Sequence, residues 1–563
     1  MNNLLAIIKK IPKASQYVIE DNQKFDVAEL VIEAEHLAQT LVNIKDKYIL
    51  INAESNTKTL KLILAIWLAG KCYVPINKHA SNTTKSSIAQ ILSSSTEISL
   101  SSNNDLMVNN KLMPLEKTNV LPPFDSNNGA YIIFTSGTTG KPKGVEIKHK
   151  NLYMLLQGLT PTFKQTSQKV WINLHSFEFD FSIWEIFAPL CYGDNLVLLG
   201  DKVKPFEFDK ITNLIDIHHV NVINQTPSVF MNFYPYLDKI NLGKIDHILF
   251  GGEKLDYNKL KAIYKKYKHQ ISFFNLYGIT EVTIHATIHK ITDIDFDNSN
   301  SSNIGKGLFK DNVYLVNDKG LRSEASGEIV VAGPTVAFGY LNNVKATMHH
   351  FDFLQTTYYS GDFGKYDKHG NIQYLYRKDS QVEVNGHRVE LSGIETIIET
   401  HTELKMVKCI FLTGHIYCFY VASSFSPQQL ALFRQTLENF LETYMMPHKF
   451  IRLNSFPTNK NGKIDEEKLQ NIILYPRSVK SLKQHNDEFD NFLINYLNLK
   501  NLFENYNRKR SFMELGLSSV DLIDLCSELN DMFKFNPALT VVDLFQYQSI
   551  DEFKSKHSII GKE

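Results

Sequence analysis

A chain of 563 residues is too long for one hydrophobic core and predicts two to four domains. Lys+Arg and Asp+Glu both total 60, so no net field draws it to nucleic acid or membrane, and 43% apolar with 21% charged residues suits a soluble globular protein. Cys72, Cys191, Cys409, Cys418 and Cys526 lack CxxC spacing, the amino terminus lacks the charge-then-apolar order of a signal peptide, and the apolar run Leu62–Gly70 is far short of the roughly 20 residues of a spanning helix. These features predict reduced thiols without disulfides or zinc, and a cytoplasmic location.

Asp26–Leu41 places Val27, Leu30, Val31, Ala34, Leu37, Ala38 and Leu41 on one helical face. A strand at Tyr48–Ile51, a helix at Thr57–Leu68 and a strand at Tyr73–Ile76 follow, an alternation that predicts an α/β fold with a largely parallel sheet. The polar run Ser93–Asn110 reads as a surface connection. The apolar run Tyr131–Phe134 then reads as a buried strand opening into Thr135, Ser136, Gly137, Thr138, Thr139, Gly140, Lys141, Pro142, Lys143 and Gly144. Glycines that admit an anion to the backbone, hydroxyl donors and two lysines suit a phosphate. The spacing is not that of the common P-loop, since only two residues separate Gly137 from Gly140 and Pro142 follows Lys141.

Leu152, Leu155, Leu156 and Leu159 mark another helix. Phe177–Phe187 is aromatic and apolar apart from Glu178, Asp180, Ser182 and Glu185. An aspartate there is costly unless it meets a cation; the alternative is that Asp180 caps a helix. Three strand-to-turn segments come next, Val220–Thr226, Ile248–Glu253 and Phe273–Glu281, each ending in the polar or glycine residues of a ligand site. Ser326–Tyr340 reads as a small β segment, Tyr358–Asp362 as a strand ending in a carboxylate, and Asp367–Gly370 as a turn before a strand at Asn371–Tyr376. From Arg377 the pattern is a compact α+β one: a strand at Val382–Val389, a helix at Ile394–Glu399, strands at Val407–Phe411 and Ile416–Val421, and a helix at Pro427–Leu441.

The polar segment 475–486 reads as a linker. Beyond it the chain is helical and acidic, with a net charge of −5 from residue 485 onward. Phe489–Leu499 is amphipathic, and Val520, Leu522, Ile523, Leu525, Cys526, Leu529, Met532 and Phe533 line a second helix. Ser519, at the start of that acidic helix, is either its N-cap or a modification site.

In this order, TSGTTGKPKG, FDFS, GGE, NLYGITE, GEIVVAGPTVAFGY, YYSGDFG, YRKDSQVEVNGHRVEL and NKNGKID resemble the adenylate-forming superfamily, and specifically the amino-acid adenylation domains of nonribosomal peptide synthetases. The stretch LGLSSVDL resembles a peptidyl carrier domain with its phosphopantetheine serine, Ser519. The resemblance implies a large α/β core over residues 1–378, a mobile α+β subdomain over 379–474, the linker 475–486 and an all-α four-helix carrier over 487–563. It implies ATP and Mg²⁺ as reactants, with Thr135–Gly144 around the β- and γ-phosphates. Gly252, Glu253, Asn275 and Tyr277 would hold adenine, while Asp362, Tyr374 and Arg377 would hold ribose. Glu281 would bind Mg²⁺, Thr280 the α-phosphate, and Lys463 the substrate carboxylate and reacting phosphate.

The resemblance pairs Asp180 with a substrate α-ammonium, which separates amino-acid activation from the activation of simple acids. Phe181, Trp184, Asn224, Leu249, Gly251, Leu276, Ile284 and His285 would form the rest of the pocket and are similar to the threonine-type set; on its own residues His285 also fits a core histidine. Asp379 matches the hinge about which the small domain turns between adenylation and thioester formation. Departures from the family pattern are Ile279, Tyr376, Glu383, Asn385 and Ser518, and the segment between Gly339 and Tyr358 is short. The implied activity is that of an adenylation–carrier didomain loading L-threonine onto its own pantetheinylated Ser519. The implied partners are a phosphopantetheinyl transferase and a condensation or tailoring enzyme acting in trans, with no condensation or thioesterase domain in this length; the need for a small helper protein is not readable from the residues. Alternatives are an acyl or aryl acid ligase and a non-catalytic adenylate-binding scaffold.

Overall fold

A computed structural model describes residues 16–557, apart from internal stretches that include 136–141, 378–380, 458–463, 475–487, 500–507 and 518–521. The chain forms two compact units, one of residues 1–424 with 432–456 and one of residues 425–431 with 457–563.

In the first unit the expected helices form where their caps and faces direct. Asp26 accepts from the N–H groups of Ala28 and Glu29 to start the helix Val27–Leu41, whose Leu30, Ala34, Leu37 and Leu41 are buried. Asn56 accepts from the N–H of Thr59 to start Thr57–Leu68, which is buried nearly all round. These helices cover a seven-stranded sheet in the order Lys111–Leu112, Leu106–Val108, Glu97–Leu100, Tyr48–Asn52, Cys72–Ile76, Gly129–Thr135 and Lys143–Lys148. Its middle pairs are parallel, as crossover helices require, and its outer pairs antiparallel. The polar run 93–110 is therefore not a plain connection. Ile98 and Leu106 bury one side chain each, enough to hold two short strands on the sheet.

A second, 15-stranded sheet changes character along its width. Tyr17–Glu20, Asn195–Val197, Val170–Ile172, Val222–Gln225, His247–Phe250 and Ser272–Tyr277 run parallel. From Thr287–Lys290 onward, through Ser302–Gly307, Ile372–Arg377, Thr357–Tyr366, Ser326–Ala332 and Val313–Val316, the pairs are antiparallel. The strand expected to end at Asp362 continues to Tyr366, with a register shift after Phe363, so Asp362 sits mid-strand opposite Arg377. The single strand expected over 382–389 is two, Gln381–Val384 and His387–Glu390, paired as a hairpin. The helix expected over 427–441 ends at Leu437.

The second unit contains the helices Glu466–Leu474, Glu488–Leu499 and Ile550–Lys556. Phe489, Leu493, Leu497, Leu522, Leu525 and Leu529 share one apolar core. Within it Asp490 is fully buried and neutralised by Lys554 at 3.0 Å and by Arg508. The expected linker and Ser519 lie outside the described residues.

Candidate functional site

The strand Gly129–Thr135 runs one residue past the expected end at Phe134, and Lys143–Lys148 pairs with it antiparallel, with Thr135 opposite Lys143. The strands on either side of the glycine-rich segment are thus neighbours in the sheet. Ser136, Gly137, Thr138, Thr139, Gly140 and Lys141 lie outside the described residues, as do Asp379, Lys463, Asn385 and Ser518. Lys143, at the returning end, stands 5.6 Å from the ring centre of Tyr340.

A cavity of about 400 Å³ opens beyond the end of the parallel strands. Gly252, Glu253, Asn275, Tyr277, Asp362, Tyr374 and Arg377 line it, which brings together the whole expected adenine and ribose set. Asp362 is 3% exposed and held from three sides: Tyr277 donates at 2.7 Å, the Arg377 guanidinium at 3.0 Å and Tyr374 at 3.4 Å. Burial first, then the Asp362 charge, pushes both tyrosine hydroxyls well above their ordinary pKa, so they stay donors. Asn275 donates to the backbone carbonyl of Asn303 at 2.7 Å. Glu253 accepts from the N–H of Gly386 at 3.1 Å, so the Gln381–Glu390 hairpin forms one wall of the cavity through Gln381, Val382 and Glu383.

The turn after Ser272–Tyr277 carries the next group. Thr280–Val282 is a single 3-10 turn, and Glu281 within it is 1% exposed and accepts from Tyr340 at 2.5 Å. Thr283 and Ile284 both adopt positive φ, at 64° and 70°, an outlying conformation for β-branched residues. That double left-handed step folds the turn back, so that Ala286 donates to the Tyr277 carbonyl, Ile284 is buried and His285 lies beside Phe181. A β-carbon on Gly278 would fall on the Ile284 carbonyl oxygen, which is why a glycine stands there.

Facing this turn is the helix Asp180–Tyr192, ended by Gly193 at φ 87°. Asp180 opens the helix but does not cap it; Phe179 is the cap residue, without a side-chain bond. Asp180 is 5% exposed and hydrogen-bonded by Thr280, and burial pushes its carboxyl up to about 6, with Glu281 adding to the shift. Around it stand Phe181, Trp184, Asn224, Leu249, Leu276 and His285, all buried. Asn224 and Leu249 are lateral partners in the parallel ladder. A β-carbon on Gly251 would stand 2.7 Å from the Phe181 ring, so glycine there lets the ring lie on the strand end. Four polar atoms of this pocket have no hydrogen-bond partner: Trp184 Nε1, Asn224 Oδ1 and both ring nitrogens of His285. Burial lowers the His285 pKa to about 3, so the ring is neutral.

Residues outside the sequence expectation complete the pocket. Glu185 lies under it, fully buried, holding His175 and Asn224. Thr226 adds a further unpartnered hydroxyl oxygen. The one sequence signal for Glu185 was an acid inside an otherwise apolar helix.

Residues 8–341 match the family model described as AMP-binding enzyme, and residues 507–555 match that described as phosphopantetheine attachment site. Malpinin synthetase of Mortierella alpina is 30% identical over 498 residues, which span 80% of this chain and 6% of that protein. Gramicidin S synthase 1 of Brevibacillus brevis is 27% identical over 565 residues, 95% of this chain and 50% of that one, so the chain spans half or less of the length of these relatives. The solved structure of holo-PA1221, a nonribosomal peptide synthetase protein containing adenylation and carrier domains bound to a vinylsulfonamide inhibitor, superposes with a TM-score of 0.75 at 22% identity, covering 99% of this chain and 97% of that one. With more than half its length inside the first family model, the chain belongs to the AMP-binding enzymes, the adenylate-forming ligases, and bears a phosphopantetheine attachment region.

Proposed function

We propose that the chain activates an amino acid, with L-threonine favoured, as its aminoacyl-AMP at the expense of Mg-ATP, and transfers it to the phosphopantetheine thiol on its own Ser519. The observation that carries this reading is the pairing, in one buried cluster, of a carboxylate with unpartnered polar atoms. Asp180 would pair with the substrate ammonium, and Asn224 and His285 would bond a β-hydroxyl, while Phe181, Leu249, Leu276 and Ile284 enclose its methyl group. A simple carboxylic acid would leave Asp180 buried without a cation.

In this reading the 400 Å³ cavity takes the nucleoside, with Asp362 accepting from the ribose hydroxyls and Tyr277 against adenine beside Gly252, Glu253 and Asn275. Mg²⁺ commonly takes one or two carboxylates plus substrate phosphates, and the buried Glu281 is a carboxylate that could hold it. Bound there, Mg²⁺ would supply charge neutralisation. Thr280 would bond the α-phosphate, Lys463 would bridge it to the attacking carboxylate, and Thr135, Lys143 and the loop between them would hold the leaving pyrophosphate. Catalysis is then positioning and neutralisation of two approaching anions. Residues 1–378, 379–474, 475–486 and 487–563 would act as core, mobile subdomain, linker and carrier, turning at Asp379. A phosphopantetheinyl transferase would prime Ser519, and a condensation or tailoring enzyme in trans would take the product.

The test is amino-acid-dependent pyrophosphate exchange across the common amino acids. Threonine should give the strongest signal, valine should be rejected by roughly 10⁴, and serine by only about 10 to 200-fold, because a missing methyl costs less than a stranded hydrogen-bonding group. A strongest signal from an aryl acid or a large apolar amino acid would overturn the reading.

A further inference from the structure

Glu185 belongs to none of the roles above, yet it is fully buried on the helix that carries Asp180, Phe181 and Trp184. Its Oε2 accepts from Asn173 Nδ2 at 2.7 Å and from the N–H groups of Leu174 at 3.1 Å and His175 at 3.2 Å. Its Oε1 accepts from His175 Nδ1 at 2.7 Å and from Asn224 Nδ2 at 3.4 Å. Five donors converge on one carboxylate, so the group is an acceptor only. We propose that Glu185 is a positioning residue that sets the hydrogen-bond polarity of the amino-acid pocket, holding the Asn224 amide with its NH₂ inward and its Oδ1 toward the substrate, and so selecting side chains that donate.

The reason is that an amide has two faces. With Nδ2 turned to Glu185, the Asn224 atom left buried without a partner is its carbonyl oxygen, the acceptor it offers the pocket. Turning the amide over would set two acceptors against each other in a site from which water is excluded. Neutral His285 brings one donor and one acceptor nitrogen to the pocket, both unpartnered, beside the equally unpartnered Trp184 Nε1 and Thr226 hydroxyl. A side-chain hydroxyl satisfies both walls, donating to Asn224 Oδ1 and accepting from the His285 N–H. An isosteric methyl satisfies neither, and a group that only accepts satisfies one. This inference rests on the amino-acid-activation reading and extends it from a list of pocket residues to a direction for each bond.

Glu185→Gln is the test. Its carboxamide oxygen can keep the Oε2 partners, but its NH₂ would then face Asn224 and turn that amide over, presenting a donor to the pocket. In pyrophosphate exchange the threonine-to-valine ratio of kcat/KM should fall at least about tenfold with the KM for ATP unchanged. The double variant Glu185→Gln/Asn224→Asp restores an acceptor at 224 and should recover most of the ratio, which a merely structural role for Glu185 would not do. An unchanged ratio in E185Q, or a loss that N224D does not restore, would overturn the proposal. If E185Q does not fold, the wild-type chain still decides with 2-amino-3-fluorobutanoate, whose fluorine cannot donate. Rejection close to that of valine supports the polarity, and turnover within about threefold of threonine refutes it. A wild-type preference for serine would remove threonine as the substrate and support the polarity inference, the ratio then being serine to alanine; a preference for valine would sink both.

Discussion

The Tyr277 hydroxyl donates to Asp362 over 2.7 Å, joining the last parallel strand of the large sheet to its antiparallel half across 85 residues of sequence. Arg377, the cross-strand partner of Asp362, neutralises the other carboxylate oxygen. The carboxylate is therefore fixed before any nucleotide arrives. Asp362→Asn should raise the KM for ATP about 10- to 100-fold, the range for losing charge-assisted hydrogen bonds, and change the KM for the amino acid less than about twofold. Pyrophosphate exchange with each substrate varied in turn measures both.

Asp180 should set stability against function. Its folded carboxyl titrates near 6, above the ordinary 3.8, because burial disfavours the charge. Folding thus favours the protonated form, and stability falls as pH rises from about 4 through 6 and is then level. Two units correspond to at most about 3 kcal/mol. Asp180→Asn should raise the melting temperature at pH 7.5, remove that slope and cut amino-acid activation at least about 100-fold. Thermal unfolding at pH 5 and 7.5, beside exchange assays, tests the pair of effects; a variant that loses activity and also melts lower at pH 7.5 would refute it.

The same carboxyl should shape the pH profile. In the free protein kcat/KM for the amino acid should decline below pH about 6 as Asp180 protonates. An ammonium partner favours the ionised form, so kcat should hold to lower pH. The KM for ATP should not follow this titration. Parallel profiles for both substrates would locate the titrating group elsewhere.

Gly278→Ala should disassemble the amino-acid pocket while leaving the large sheet intact. The added methyl meets the Ile284 carbonyl, and the left-handed residues Thr283 and Ile284 have no freedom to give way. A loss of about 2 to 4 kcal/mol is expected, with the KM for the amino acid rising more than that for ATP. Denaturant titration and exchange kinetics report the two.

How far the sequence reached depends on what kind of information each feature needs. Helices such as Val27–Leu41 were legible because apolar period and cap lie within one stretch. The hairpin at Gln381–Glu390 was also locally encoded, since Asn385-Gly386 is a strong two-residue turn signal, but the apolar residues on either side of it read as one continuous strand. Asp362 was expected at a strand end; the cross-strand pairing with Arg377 that carries the strand onward joins residues too far apart for periodicity to report. The residue types at Asp180, Asn224 and His285 were readable, whereas their company was not. Glu185 becomes meaningful only when residues 173–175, 185 and 224 are brought together, and positive φ at Ile284 is a backbone fact that its side chain argues against.

The contact between Gly386 and Glu253 has a consequence for leakage. Gln381, Val382 and Glu383 wall the nucleotide cavity, and an acyl-phosphate anhydride made there would hydrolyse if water reached it. If the proposed aminoacyl-AMP forms there, the hairpin would act as a seal as well as a wall, and the time it stays in place would decide whether the activated amino acid is delivered or lost. Fidelity of delivery would then be governed by how long one hydrogen bond to Glu253 persists, a quantity separate from how tightly either substrate binds.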